Sequence, residues 1–225
     1  MSKILISGYY GFANAGDEAM LTAIIESLRQ VEKNVELTVL SGNPEDTAAK
    51  HQVCSVYRFN PLGIIRAMKD SELIISGGGS LLQDVTSKRS LLYYLSIIGL
   101  GKFFGKKVML FAQGIGPIRA KWARKLTSLV CNEADLITVR DSESAAELIE
   151  MGVKPEKITV TADSVLSLNP VTKECGQYLL QEAGVDLTKP VIGISVRPWS
   201  GDSQCFQVLA EAASKLQQSY GAQLI

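Results

Sequence analysis

The stretch Gly8-Tyr9-Tyr10-Gly11-Phe12-Ala13-Asn14-Ala15-Gly16-Asp17-Glu18-Ala19-Met20-Leu21 follows the apolar run Ile4-Leu5-Ile6 and leads into a helical pattern. A glycine-bearing loop between a strand and a helix is where nucleotide-binding α/β folds hold a phosphate. A dinucleotide fingerprint needs G-x-G-x-x-G and an acid after the second strand. Here the glycines are Gly8, Gly11 and Gly16, and the second strand runs into Ser41-Gly42-Asn43. NAD is therefore disfavoured, and a Walker loop fails because no glycine cluster is followed by G-K-[ST].

Outward from this loop the same alternation repeats. Short apolar, β-branched runs at 3–7, 35–40, 53–59, 73–76, 108–112, 136–139 and 158–161 read as strands. Helical patterns lie between them near 17–32, 61–70, 88–104, 119–132 and 142–151. Parallel neighbours need crossovers and the crossovers are helices, so the alternation predicts an α/β, Rossmann-like domain over about residues 1–170. A second unit begins near 171 with a helix at 173–183, a strand at 191–196, a helix at 203–219 and a strand entered at Gln223. One or two parallel strands cannot bury both faces, so the second domain is expected to be incomplete in this chain.

Bulk composition bounds the class. The 225 residues, 46% of them hydrophobic, suffice for a sizeable core, and 23 basic residues balance 23 acidic ones, which argues against a general nucleic-acid binder. The four cysteines are scattered and His51 is the sole histidine, so neither a disulfide framework nor a Cys/His zinc site is supported; a reducing cytosol fits, and no metal or cofactor is expected. The amino-terminal residues lack a secretory pattern, and no apolar run reaches the length of a membrane span.

Chemistry-bearing residues fall at the carboxyl ends of the predicted strands, the edge where an open α/β sheet forms its ligand crevice. Asn14 is placed to orient sugar hydroxyls, whereas Asp17 reads either as a cap of the following helix or as a ligand of the same saccharide. In Gly77-Gly78-Gly79-Ser80-Leu81-Leu82-Gln83-Asp84 the glycines can let backbone N–H groups converge on an anion, or simply form a tight turn. Gln83 and Asp84 add polar groups there. Arg140, in Val139-Arg140-Asp141, sits at a strand tip and is the residue type that grips phosphate or carboxylate, while Asp141 reads as a helix cap; Arg197 holds the equivalent place in the second unit.

Taken together, the opening stretch, ISGGGSLLQDVTSKRSLLYYL, FAQGIGP, VRDSES and ISVRPW resemble the polysaccharide pyruvyl transferase family, in particular its CsaB-type cell-wall members. The resemblance implies a GT-B-like architecture of two Rossmann-like domains facing a cleft. It implies phosphoenolpyruvate as co-substrate and, as acceptor, N-acetylmannosamine in a lipid-diphosphate-linked disaccharide. The product would be a 4,6-pyruvate ketal in a secondary cell-wall polymer, serving S-layer anchoring. On this resemblance Arg140 is expected to clamp the donor, with Arg197 as a second clamp and Asp84 as a base. Asn14, Asp17, Gly78, Gly79 and Gln83 would hold the acceptor. The family's general acid is a histidine of the C-terminal domain, a place His51 does not match, so the chain alone is expected to be inactive. His51 itself reads as a surface residue.

Charge is unevenly distributed. No Asp or Glu occurs from Val85 to Asn132, whereas Lys88, Arg89, Lys102, Lys106, Lys107, Arg119, Lys121, Arg124 and Lys125 all do. Beside the apolar LLYYLSIIGLGKFF, this pattern suits either a solvated face or a surface that docks on anionic lipid headgroups of the inner membrane leaflet. Trp122, Leu126, Leu129 and Val130 are expected to share the core-facing stripe of their helix. Two other functions fit the same pattern: a GT-B sugar-nucleotide glycosyltransferase, and a non-catalytic module that binds a sugar or lipid diphosphate.

Overall fold

The computed structural model describes residues 2–85, 87–196 and 203–225, so Arg197 lies outside the described residues. Two compact units divide the chain, Met1–Leu168 and Asn169–Ile225. The first is built on the parallel strands β1 (Lys3–Tyr10), β2 (Glu36–Ser41), β3 (Cys54–Tyr57), β4 (Leu73–Ser76), β5 (Gly79–Leu82), β6 (Lys107–Ile115), β7 (Leu136–Val139) and β8 (Ile158–Val160). Their order is β3-β2-β1-β4-β6-β7-β8, with β5 paired to the far end of β6. The chain steps one way from β1 to β3 and the other way from β4 onward. The topological switch point therefore lies between β1 and β4, where both glycine stretches emerge.

Helices α1 (Ala15–Val31) and α2 (Pro44–His51) cover one face, and α3 (Pro61–Asp70), α4 (Lys88–Phe103), α5 (Lys121–Glu133) and α6 (Ser142–Glu150) the other, as right-handed crossovers require. Alternation along β1 feeds both cores. Ile4 and Ile6 pack with Leu21, Ile24 and Ile25 of α1, whereas Leu5 joins Leu91, Leu95 and Ile98 of α4 with Ile74 and Val108. The second unit contains α7 (Lys173–Glu182), β9 (Val191–Ile192), α8 (Ser203–Tyr220) and β10 (Gln223–Leu224), its two strands parallel.

Three features differ from the sequence reading. The first is α2, which starts at the capping Asn43 with Pro44 in its first turn. The second is β5: the triglycine segment, read as an anion loop or a tight turn, kinks, and the chain continues as a strand along β6 before α4 begins. The third is the buried stripe of α5. Ala123, Thr127 and Cys131 form it, with Leu126 and Val130 packed alongside, while Trp122 and Leu129 are 47% and 58% exposed. Small side chains thus line the inner face of this helix, and two of its bulky residues face outward.

At the opposite edge of the sheet, Asp135 ties α4 to β6. Its carboxylate takes Lys102 Nζ at 2.6 Å, Lys107 Nζ at 3.1 Å and the Val108 N–H at 2.9 Å. Burial alone would raise its pKa, but the two ammonium groups and the N–H outweigh burial and hold it far below the usual carboxylate range. A folded pKa below the unfolded value of about 3.9 contributes stability above that pH and loses it as pH falls toward the folded pKa. Asp135→Asn should accordingly melt lower than wild type at pH 7, with a narrower gap at pH 3. Thermal unfolding of both proteins at the two pH values checks this.

Candidate functional site

At the switch point the three glycines of β4–β5 are a track along which side chains approach the backbone. Gly77 N–H is already bonded to Ser7 O at 2.8 Å. A Cβ on Gly77 would lie 2.5 Å from the Tyr10 hydroxyl, and one on Gly78 would meet Met20 Sδ at 3.0 Å and Ser164 Oγ at 3.4 Å. Gly79 has φ +87°, which a side chain tolerates poorly, and its Cβ position is 3.2 Å from Asp17 Oδ1. Of the amides read in this segment as converging on an anion, that of Gly77 is thus already taken. The segment's glycines admit a tyrosine, a serine, a methionine and a carboxylate.

Helix α1 begins with Asn14 as its cap, Oδ1 accepting from the N–H groups of Gly16 at 3.1 Å and Asp17 at 3.4 Å. Glu18 reaches back to accept the Gly11 N–H at 2.8 Å. Asp17 is therefore not the cap, and its carboxylate faces Gly79 instead. Partial burial, reinforced by the adjacent Glu18, pushes its pKa up to about 6. His51, expected at the surface, is the last residue of α2; its side chain is only 9% exposed and its Nε2 lies 3.5 Å from Glu18 Oε2.

Arg140 lies flat on β6. A Cβ at Gly114 would come 2.6 Å from its Cζ, so only glycine allows the guanidinium to rest there. Three groups fix it, each at 3.3 Å: Asp141 Oδ2 on Nε, Asp163 Oδ2 on Nη1 and Ser80 Oγ on Nη2. Asp141 also caps α6 through the Ser144 N–H at 2.7 Å. Ser80 follows Gly79 directly, so Arg140 and Asp17 flank the same glycine. The guanidinium keeps about a third of its surface exposed and borders a cavity of about 770 Å³ that also takes in Gly116 and Arg119.

Two expected site residues sit elsewhere. Asp84 accepts from the Arg119 N–H with both oxygens at 3.0 Å and from the Ala120 N–H at 2.9 Å, closing the loop that enters α5. Those backbone bonds hold its pKa below the usual carboxylate range, which suits a structural acceptor and not a base. The base role assigned to Asp84 is corrected on that ground. Gln83 packs against Gly116, whose Cβ would lie 2.6 Å from the Gln83 Cβ. Asp17, Gly78, Gly79 and Arg140 are brought together, with Asn14 capping α1 three residues before Asp17; Gln83 and Asp84 belong to the neighbouring loop.

Several residues at this rim escape sequence reasoning. Ser80, Asp163 and Ser164 complete the setting of Arg140 and Gly78, yet Asp163 and Ser164 lie in a loosely patterned stretch that signals nothing. Arg58, just past β3, is 5% exposed, and the rings of Tyr9, Phe12, Phe59, Tyr93 and Tyr94 lie 4.3 to 6.0 Å from its Cζ. Cation–π attraction of about 0.5–2 kcal/mol per favourable ring offsets part of its desolvation. Tyr9 and Phe12, stacked at 4.3 Å, remain about 40% exposed beside the loop. Among the described residues no group of three or more His, Cys, Asp or Glu side chains is placed to hold a metal ion.

Comparison with known proteins agrees with this architecture. A search of the curated proteins found no match. Among solved structures, Anabaena Alr3699/HepE in complex with UDP-glucose superposes with TM-score 0.60 at 13% identity, over 100% of this chain and 69% of that one. The UDP-GlcNAc 2-epimerase of Neisseria meningitidis bound to UDP-GlcNAc gives 0.59 at 14%, over 100% and 66%. A glycosyltransferase from Rickettsia africae gives 0.56 at 12%, over 100% and 68%. At such identities these likenesses concern the fold, that of GT-B glycosyltransferases and epimerases, and the chain spans about two thirds of each neighbour. The profile of the polysaccharide pyruvyl transferases matches residues 14–212, from the cap of α1 into α8, and the chain belongs to that family.

Proposed function

We propose that this chain supplies the acceptor side and one anion clamp of an enzyme that transfers a pyruvyl group from phosphoenolpyruvate to a sugar diol. In this reading the acceptor is N-acetylmannosamine in a lipid-diphosphate-linked disaccharide, and the product is a 4,6-ketal for S-layer anchoring on a secondary cell-wall polymer. The observation that carries the reading is Arg140, laid on Gly114 and pinned beside the triglycine kink in a chain of this family. Phosphoenolpyruvate bears a phosphate ester and a carboxylate on the same carbon, C2, and a planar guanidinium held by three oxygens is pre-organised to meet one of them. Arg197 stands as a second clamp and Asn14 as an acceptor ligand. The direct experiment incubates the full-length protein with phosphoenolpyruvate and the synthetic lipid-diphosphate disaccharide. Phosphate release with the mass gain of a pyruvate ketal is the expected result.

A second reading, a sugar-nucleotide enzyme, draws on the UDP-sugar complexes among the structural neighbours. Turnover of a UDP-sugar in place of phosphoenolpyruvate would establish it. Saturable acceptor binding without turnover of either donor would point to a binding module.

The acceptor's lipid tail agrees with a site of action at the inner face of the cell membrane. Among the described residues no helix is long and apolar enough to cross a membrane. Peripheral contact is supported by α4 and α5, neighbours that expose Leu92, Leu100, Phe103, Trp122 and Leu129 between Lys88, Arg89, Lys121 and Lys125. Co-sedimentation with vesicles should rise with their anionic lipid content and fall in high salt. Binding indifferent to both would remove this element.

A further inference from the structure

We infer that Asp17 is the base that deprotonates the acceptor hydroxyl at the triglycine kink, an assignment that rests on the pyruvyl-transfer reading. Asp17 is free of the tasks a carboxylate commonly has at this place. Its usual duty at a helix start, capping, is carried by Asn14, and Glu18 takes the loop N–H of Gly11. The Asp17 carboxylate is left against Gly79, one residue from Ser80, which holds Arg140.

A second observation marks this place as built for a polar ligand. The hydroxyls of Tyr10 and Ser164, at 0% and 9% residue exposure, lie against Gly77 and Gly78 with no hydrogen-bond partner. Buried hydroxyls without partners are uncommon, and here two of them line the same three-residue track. The carboxylate of Asp84 is the alternative on this side of the sheet, and both its oxygens are occupied by backbone N–H groups.

The chemistry balances around one such base. As an acceptor oxygen bonds to C2 of phosphoenolpyruvate, its proton passes to Asp17 and a proton from the family's histidine acid converts the C3 methylene to a methyl. The C2–O bond to phosphate then breaks, the second acceptor oxygen bonds to C2, and its proton leaves with inorganic phosphate. Asp17 then releases its proton to solvent and the histidine regains one, so that net the sugar loses two hydroxyl protons, one made up for on C3 and one leaving on phosphate. The titratable groups that feel or act on the Asp17 charge are Glu18 on α1, Tyr10 on β1 and Tyr94 on α4, while Arg140 pairs with Asp163 and reaches Ser80, the residue after Gly79. Burial and Glu18 set the carboxylate near pH 6, close to the value that serves a base in neutral solution.

The test uses the full-length enzyme with phosphoenolpyruvate and the lipid-diphosphate disaccharide. Asp17→Asn should lower kcat by about 10²- to 10³-fold while the affinities for both substrates, measured by calorimetry, stay within about threefold. The acidic limb of wild-type kcat, with an apparent pKa near 6, should disappear in the residual activity. Unchanged kcat, or a loss confined to acceptor affinity, overturns the assignment and leaves pyruvyl transfer standing. A wild-type kcat that is flat between pH 5 and 8 overturns it without recourse to any variant. Wild-type enzyme that releases no phosphate from phosphoenolpyruvate overturns the functional reading itself.

Discussion

Replacing Arg140 by alanine should lower kcat/KM for phosphoenolpyruvate by about 10²- to 10³-fold, the range seen when one pre-organised donor to a developing charge is removed. Arg140→Lys should recover little of this, since a single ammonium cannot span Ser80, Asp141 and Asp163 and still present a planar edge to the ligand. Stability should hardly change. The ion pairs are half-exposed and of the kind that contributes about 0–1 kcal/mol, so Tm should stay within about 3 °C of wild type. Gly114→Ala supplies the independent check. It leaves the arginine in place but sets a methyl 2.6 Å from its Cζ, so it should lower kcat/KM in the same direction. If both variants turn over phosphoenolpyruvate within threefold of wild type, Arg140 is no clamp and the functional reading loses its main support.

That prediction joins residues the chain separates widely, and this separation decides what a sequence can disclose. Strands and helices with a clear period were legible: β4, β7 and α3 fall where the apolar pattern puts them. So was the placement of Arg140 at a strand tip on the crevice side. α2 was missed although Asn43-Pro44 carries a cap and a favourable first residue, because its eight residues hold too few apolar positions to show a helical face. β5 was missed because three glycines read as a turn, whereas their role is to admit Tyr10, Met20, Ser164 and Asp17. That Asp17 is no cap, and that Asp84 is held by backbone N–H groups, escaped notice for the same reason. Nothing local to either reveals that Asn14 relieves one of capping, or that Arg119 and Ala120 occupy the other.

The bulge in β6 shows the limit most plainly. Ala112 adopts φ +48°, costly for a residue with a side chain, and its N–H is taken by Thr138 Oγ1 at 2.7 Å. The displacement carries Gln113 Nε2 onto the carbonyls of Ser76 at 3.0 Å and Gly77 at 2.9 Å, fixing the end of β4 where the glycine track begins. This buried amide ties β6 to the end of β4. The motif Gln113-Gly114 thus does two jobs, one residue setting the kink and the next receiving Arg140.

Gly8→Ala should destabilise the first unit by about 2–3 kcal/mol, the cost of forcing one methyl into a filled core. A Cβ there would lie 2.3 Å from Tyr10 Cζ and 2.7 Å from its hydroxyl oxygen. The ring has nowhere to go. It is fully buried among Ile6, Leu21 and Ile24, and its hydroxyl already closes on Gly77. For a domain of this size the loss corresponds to about 5–10 °C in Tm, and activity should fall further than stability because the displaced ring presses on the glycine track beside Asp17. Steric origin can be separated from a general intolerance of the β1 end by a double-mutant cycle. Tyr10→Leu alone should cost stability by leaving space, and Gly8→Ala added to it should cost less than about 1 kcal/mol, giving a coupling of at least 1 kcal/mol. If alanine at position 8 is equally harmful with leucine at position 10, the contact with Tyr10 is not what requires glycine, and the rim is set by backbone conformation instead.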